Sequence, residues 1–183
     1  EAILRTTAVE MLVLPEWLTR SATGVPLLRA ARRRGARLVP VARGSRVDVG
    51  AGVLEVLWPP AFEPRSADNE RSLVARLLLD GTTILLTSDI GRTVESRLVD
   101  STNLDAEIVV IPHHGSRGSS SAAFLDAVAP RVALIPAGEK NLHNHPHPEV
   151  LERLEERGIE FRMPIRDGRC GALLVDGVWV LYP

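Results

Sequence analysis

Five histidines and one aspartate carry most of the chemistry this sequence offers. His113, His114, His143, His145 and His147 are all the histidines in the chain, and Asp89 precedes them by one strand-and-helix unit. Neutral imidazole nitrogen and carboxylate oxygen are the ligand set of zinc or manganese. Thiolate ligands are missing, because Cys170 is the single cysteine, which also excludes an internal disulfide. One loop histidine by itself is ordinarily a cap or a hydrogen-bonding residue. An acid and two imidazoles at equivalent places in successive units are different, because convergence is what a metal or catalytic centre requires.

The elements that must position these groups read as strand and helix in alternation. Apolar runs at 82 to 87, 107 to 111 and 131 to 135 read as strands, and helical patterns follow at 94 to 99, 120 to 128 and 148 to 157. That alternation predicts βα units and a parallel or mixed sheet. Asp89, the His113-His114 pair and the His145/His147 cluster each fall just past the end of a strand. In open α/β sheets, loops at the carboxyl ends of neighbouring strands share one crevice. Strands at 159 to 163, 172 to 175 and 178 to 181 are expected to complete the sheet. Upstream, short strands are predicted at 11 to 14, 37 to 41, 46 to 49, 52 to 57 and 72 to 79, with a short helix beginning at Pro26 and stopped by Gly35. Residues 61 to 70 read as a polar loop, Asp80-Gly81 as a hairpin turn and Asp167-Gly168 as a turn.

Length and composition fit a single domain over residues 1–183: 45% hydrophobic and 25% charged side chains in a 19.9 kDa chain. No apolar run approaches the roughly 18 to 20 residues of a membrane span, so the segment is expected to be soluble. The net charge of −1 argues against a uniformly basic surface. Lys140 is the one lysine, so nearly every cation is a guanidinium suited to phosphate or carboxylate. Arg29, Arg32, Arg33, Arg34, Arg37, Arg43 and Arg46 crowd together, either as a solvated face or as a phosphate-contacting patch. Glu149, Glu152, Glu155 and Glu156 with Arg153 and Arg157 read as a solvated helix face. Trp17, Trp58 and Trp179 read as packing. Neither GxGxxG nor GxxxxGK[ST] occurs, which counts against dinucleotide and P-loop chemistry.

Three blocks, Ile84-Leu85-Leu86-Thr87-Ser88-Asp89-Ile90, Val109-Val110-Ile111-Pro112-His113-His114-Gly115-Ser116 and Asn144-His145-Pro146-His147-Pro148-Glu149-Val150-Leu151, appear in this order. They resemble the metallo-β-lactamase-like domain at the C-terminal end of ComEC-type competence proteins. Asn69 to Leu73 is similar to the Asn/Ser-rich start of a hairpin strand there. The likeness runs from about Asn69 to Gly177, and residues 1 to 60 fit it only loosely. It implies an α/β class fold, an αββα sandwich of two mixed sheets with helices outside, whose N-terminal part is missing here. It also implies a metal-dependent site along one edge holding two divalent ions (Mn or Zn), DNA as substrate and a membrane channel as the rest of the parent protein. The domain would then be a soluble part of a bacterial inner-membrane protein on the extracytoplasmic face.

Residue by residue, Asp89 matches the aspartate of the family's TGD block, with Ser88 in place of glycine. His113 or His114 matches the histidine of the next block, so Asp89, His113 and His114 are the expected metal ligands. Asp89, His114 and His145 are the expected catalytic residues, with Asp89 bridging the ions that activate water. His145 or His147 is a ligand, a proton donor to the leaving oxygen or a phosphate contact. Their i, i+2 spacing lets one face the crevice, and His145 is favoured. Ser116, Ser119, Ser120 and Ser121 could donate to phosphate or cap the following helix, and Asn69 completes the expected substrate contacts. The superfamily's HxHxDH motif occurs nowhere in the chain. The expectation is therefore a chain that begins just past that motif, holds half a site, and lacks hydrolase activity until extended upstream. A small-molecule hydrolase of the same fold and a metal-free structural module are the alternative functions.

Overall fold

Asp80 and Gly81 both adopt left-handed backbone (φ 48° and 80°), the geometry of a two-residue hairpin turn. They join β5 (Val74–Leu79) to β6 (Thr82–Leu86), which pair antiparallel with Leu79 opposite Thr82. The computed structural model describes residues 6–61, 68–138, 141–167, 171–175 and 178–182. Around this hairpin grows a seven-stranded sheet in the order β3-β4-β5-β6-β7-β8-β9. Its first half is an antiparallel meander through β3 (Arg46–Val49), β4 (Gly52–Trp58), β5 and β6.

From β6 onward the pairing turns parallel, through β7 (Ile108–Val110), β8 (Val132–Leu134) and β9 (Glu160–Arg162). Parallel neighbours need crossovers, and three helices supply them: α2 (Arg92–Ser101), α3 (Ala122–Val128) and α4 (Pro148–Glu155). Each buries one stripe against the same sheet face. Val94, Leu98, Phe124, Leu125, Val150 and Leu154 meet Leu85, Val109 and Ala133 in the main core. Because β6, β7 and β8 run the same way, the loops after them all leave from one edge of the sheet.

The opposite face is covered by strands. β1 (Met11–Pro15) and β2 (Arg37–Val41) form a two-stranded parallel sheet, and their Met11, Val13, Val39 and Val41 pack with Val47, Leu54, Val56 and Ala75. Outside that pair lies α1 (Gly24–Arg33), whose Ala31 packs with Ala36, Leu12 and Leu38. The layers are thus helix, small sheet, large sheet, helices, the αββα sandwich that the resemblance implies.

Several details depart from the sequence expectations. The hairpin of β10 (Gly171–Val175) and β11 (Val178–Tyr182) pairs only with itself and does not complete the large sheet. Helix α1 starts two residues before Pro26, because proline needs no amide partner anywhere in a first turn. Residues 72 and 73 precede the strand, and Asp68–Arg71 is a 3₁₀ turn. A second 3₁₀ turn, Glu16–Arg20, was not foreseen. Asp167 ends the four-residue helix α5 (Pro164–Asp167), while Gly168 lies outside the described residues, as do residues 62–67 of the expected polar loop. Among the described residues no helix is long and apolar enough to cross a membrane.

Candidate metal centre

Asp89 lies two residues past the last buried residue after β6, Thr87, whose hydroxyl is tied to the Val110 carbonyl. Ser88 has left-handed backbone (φ 49°) and donates its hydroxyl to the Leu73 carbonyl (2.7 Å), which fixes the bend that delivers Asp89. Serine holds this bend with a side-chain hydrogen bond that glycine lacks.

The next loop is more constrained. His113 (φ 50°), His114 (φ 55°) and Gly115 (φ 81°) are three successive left-handed residues. Each non-glycine residue in that region costs on the order of 1–3 kcal/mol, so neighbours must hold the turn. The His113 amide donates to the Ser88 carbonyl (2.9 Å), the His147 amide donates to the Gly115 carbonyl (2.8 Å), and the Ser119 hydroxyl donates to the Pro112 carbonyl (2.9 Å). All three loops are thereby joined. A Cβ on Gly115 would lie 2.6 Å from Pro146 Cβ, so glycine is what lets the histidine loops touch.

This turn sends the two adjacent imidazoles different ways. His114 Nε2 stands 3.5 Å from Asp89 Oδ1, with both side chains about half exposed. His114 Nδ1 is 2.8 Å from the Pro136 carbonyl, which can only accept, so Nδ1 donates there and Nε2 is the nitrogen turned to Asp89. Two ligand atoms of one tetrahedral ion at bond lengths near 2.1 Å lie roughly 3.4 Å apart, so the observed spacing suits a shared cation. His113 turns instead to His145, their rings meeting edge to face at 5.8 Å, and His145 stacks on His143 at 5.6 Å. Asp89, His113 and His114 therefore do not gather on one point. Among the described residues, no three His, Cys, Asp or Glu side chains are placed to hold one ion. The residues present fit a metal as two of its ligands.

Asn141, which sequence reading missed, builds the third loop. Its amide nitrogen donates to the carbonyls of Gly138 and His145, both at 2.8 Å, and its oxygen accepts from the His145 amide at 2.7 Å. Asx residues that bond their own backbone are the available sequence signal. His145 thus lines a cavity of about 350 Å³ with His114, His143 and Asn141. Burial, followed by the charges of His113, His143, His114 and His147, holds the His145 pKa below its ordinary value of 6.5. His147 faces the other way: its Nδ1 accepts from the Glu149 amide and caps α4.

The serines divide. Ser119 is corrected from a phosphate contact to a brace, because it is fully buried and its hydroxyl is spent on the carbonyls of Pro112 and Ser116. Ser116 accepts from the Gly118 amide, and Ser121 caps α3 by accepting from the Phe124 amide. Asn69 is exposed on the 3₁₀ turn that leads into β5, whose first residues adjoin the exit of β6.

Behind the loops is a polar junction. Glu95 of α2 is fully buried and accepts from the amides of Ser120 (2.5 Å) and Ser121 (2.9 Å). Arg153 of α4 donates to the carbonyls of Ser119 and Ser120. One three-residue segment so links the helices that follow each candidate-ligand loop.

No protein-family model matches the chain. It is 32% identical over 169 residues to ComE operon protein 3 of Bacillus subtilis, covering 92% of this chain and 22% of that protein. It is 37% identical over 116 residues to competence protein ComA of Neisseria gonorrhoeae, covering 62% of this chain and 16% of that one. The chain therefore spans about a fifth of the length of these relatives. A crystal structure from Parabacteroides distasonis, described as a metal-dependent hydrolase, superposes with a TM-score of 0.52 at 12% identity, over 87% of this chain and 78% of that one. The resemblance to competence proteins, and to metallo-hydrolases in fold, holds.

Proposed function

We propose that this relative of the competence proteins is a metal-dependent phosphodiesterase domain that cleaves DNA, working beside the membrane-channel portion of a longer parent protein on its extracytoplasmic face. The observation that carries it is the Asp89–His114 pair: a carboxylate oxygen and an imidazole nitrogen 3.5 Å apart, with the other nitrogen of the imidazole already anchored to a carbonyl. The names of the relatives and the metal-dependent fold neighbour support the same reading.

Asp89 Oδ1 and His114 Nε2 would hold a divalent ion, Mn or Zn. Bound divalent ions supply a nucleophile at neutral pH and neutralise developing charge on phosphate. The chain's own residues do the rest. The Pro136 carbonyl keeps the His114 proton on Nδ1. His145, with His113 against its ring, faces the cavity where a leaving oxygen would sit and is a hydrogen-bond partner for the phosphate there. Ser116 and Asn69 border the same sheet edge and are the phosphate contacts of this reading. His147 spends its Nδ1 on the α4 cap and orients the loop.

Metal uptake and cleavage of linear DNA should be measured on the 183-residue chain and on a chain lengthened upstream through HxHxDH, each with Asp89→Asn and His114→Ala variants. The expected result is manganese- or zinc-dependent cleavage by the longer chain only, with a loss of at least about 100-fold in either variant. Full activity of the short chain would sink the half-site argument. Undiminished activity in Asp89→Asn would sink the assignment of the centre, and preferential cleavage of small esters would move the substrate from DNA to a small molecule.

A further inference from the structure

The arginine cluster that the catalytic reading leaves unused has a definite shape. A depression of about 340 Å³ opens beside α1, with Val25, Leu28, Leu38 and Pro40 as its floor and Arg29 and Arg32 on its wall. Arg29 and Arg32 are one helical turn apart, so both guanidinium groups project from the same face. Both are exposed, as is the adjoining Arg33, and among the described residues no carboxylate pairs with any of the three. Arg46, Arg76, Arg117, Arg157, Arg162 and Arg166, by contrast, all reach an acid. Between Glu16 and Arg37 the sequence holds one acidic residue against six arginines (20, 29, 32, 33, 34 and 37), a surplus of five positive charges in a chain whose total is −1.

We propose that this depression is a binding site for the phosphate backbone of a single-stranded polynucleotide, separate from the Asp89–His114 centre. Unpaired guanidinium groups are donors in the fork geometry that phosphate oxygens accept. The apolar floor beneath them suits the sugar or base that follows each phosphate, which free phosphate or sulfate would leave empty. The concave shape admits a chain and not the flat surface of a bilayer. Helix α1 lies on the outer layer opposite α2, α3 and α4, so a strand held here is gripped away from the groups that would cut it. The choice of a polynucleotide rests on the proposed phosphodiester substrate, whereas the anion site rests on charge and shape alone.

Binding of a labelled oligothymidylate to the 183-residue chain, followed by fluorescence anisotropy in metal-free buffer with EDTA, separates the two readings. The native chain should bind with an affinity that falls steeply with salt. The triple variant R29Q/R32Q/R33Q should bind at least about tenfold more weakly, with its log–log salt slope smaller by about 2, as expected for three lost phosphate contacts on a single strand. Removing three ion-paired arginines, R46Q/R162Q/R166Q, should change affinity by less than about twofold. Equal loss in both triple variants, no loss in the first, or arginine-dependent binding to phosphatidylglycerol vesicles in place of the oligonucleotide would each overturn the proposal. Failure of metal uptake at Asp89 would overturn the hydrolase reading and leave this one standing.

Discussion

The two halves of the chain treat left-handed backbone in opposite ways. Up to Leu79 every described residue with positive φ is a glycine: Gly35, Gly44 and Gly50. From Asp80 onward seven non-glycine residues take that conformation, and Ser88, His113, His114 and Asn144 among them sit in the loops at the candidate centre. In the first half turns are made where no side chain is needed, so the residue without a Cβ suffices. In the second, Ser88, His113 and His114 turn the chain with residues whose side chains face the centre or brace it, and hydrogen bonds between loops hold the strain. Charge divides along the same line, with unpaired arginines on α1 in one half and the acid and imidazoles in the other.

Four changes would break or sharpen this contrast. The largest effect is expected at Glu95. Glu95→Ala leaves the Ser120 and Ser121 amides buried without an acceptor and should cost about 3 kcal/mol in urea unfolding. It should weaken metal uptake along with the fold, whereas Asp89→Asn, at a half-exposed group, should abolish uptake and leave the unfolding midpoint nearly unchanged. Gly115→Ala combines a forbidden φ with a Cβ driven into Pro146, and about 2 kcal/mol should be lost. Loss of the contact between His113 and His145 should then be visible in imidazole NMR shifts. The smallest effect has the opposite sign. Ser120 is fully buried in left-handed backbone with a hydroxyl that finds no partner, so Ser120→Gly should raise stability by about 0.5–1 kcal/mol. Destabilisation by Ser120→Gly would mean that this hydroxyl takes part in the site.

What the sequence disclosed was local. Asp80-Gly81, the apolar strands and the placement of Asp89, His113, His114 and His145 just past strand ends follow from turn chemistry and period-two patterning, which act over a few residues. Pro148 marks a helix start, and the cap provided by His147 falls one residue before it. Glu95 was invisible because its partners lie 25 and 26 residues away, and in a helix pattern it reads as a surface acid. The parting of His113 from His114 was equally hidden, since two successive left-handed residues reverse the side-chain directions that an extended loop would give. The isolation of the β10 and β11 hairpin follows from sheet pairing that short apolar runs do not encode.

The segment 119–121 receives an acid from α2 and a guanidinium from α4, and so behaves as a keystone. Loops transplanted one at a time from a relative would arrive without their matching counterparts at this point. Only an exchange that carries Glu95, the serine triplet and Arg153 as one block should preserve the arrangement of the rim, which makes the stretch from α2 through α4 the smallest portable unit of this centre.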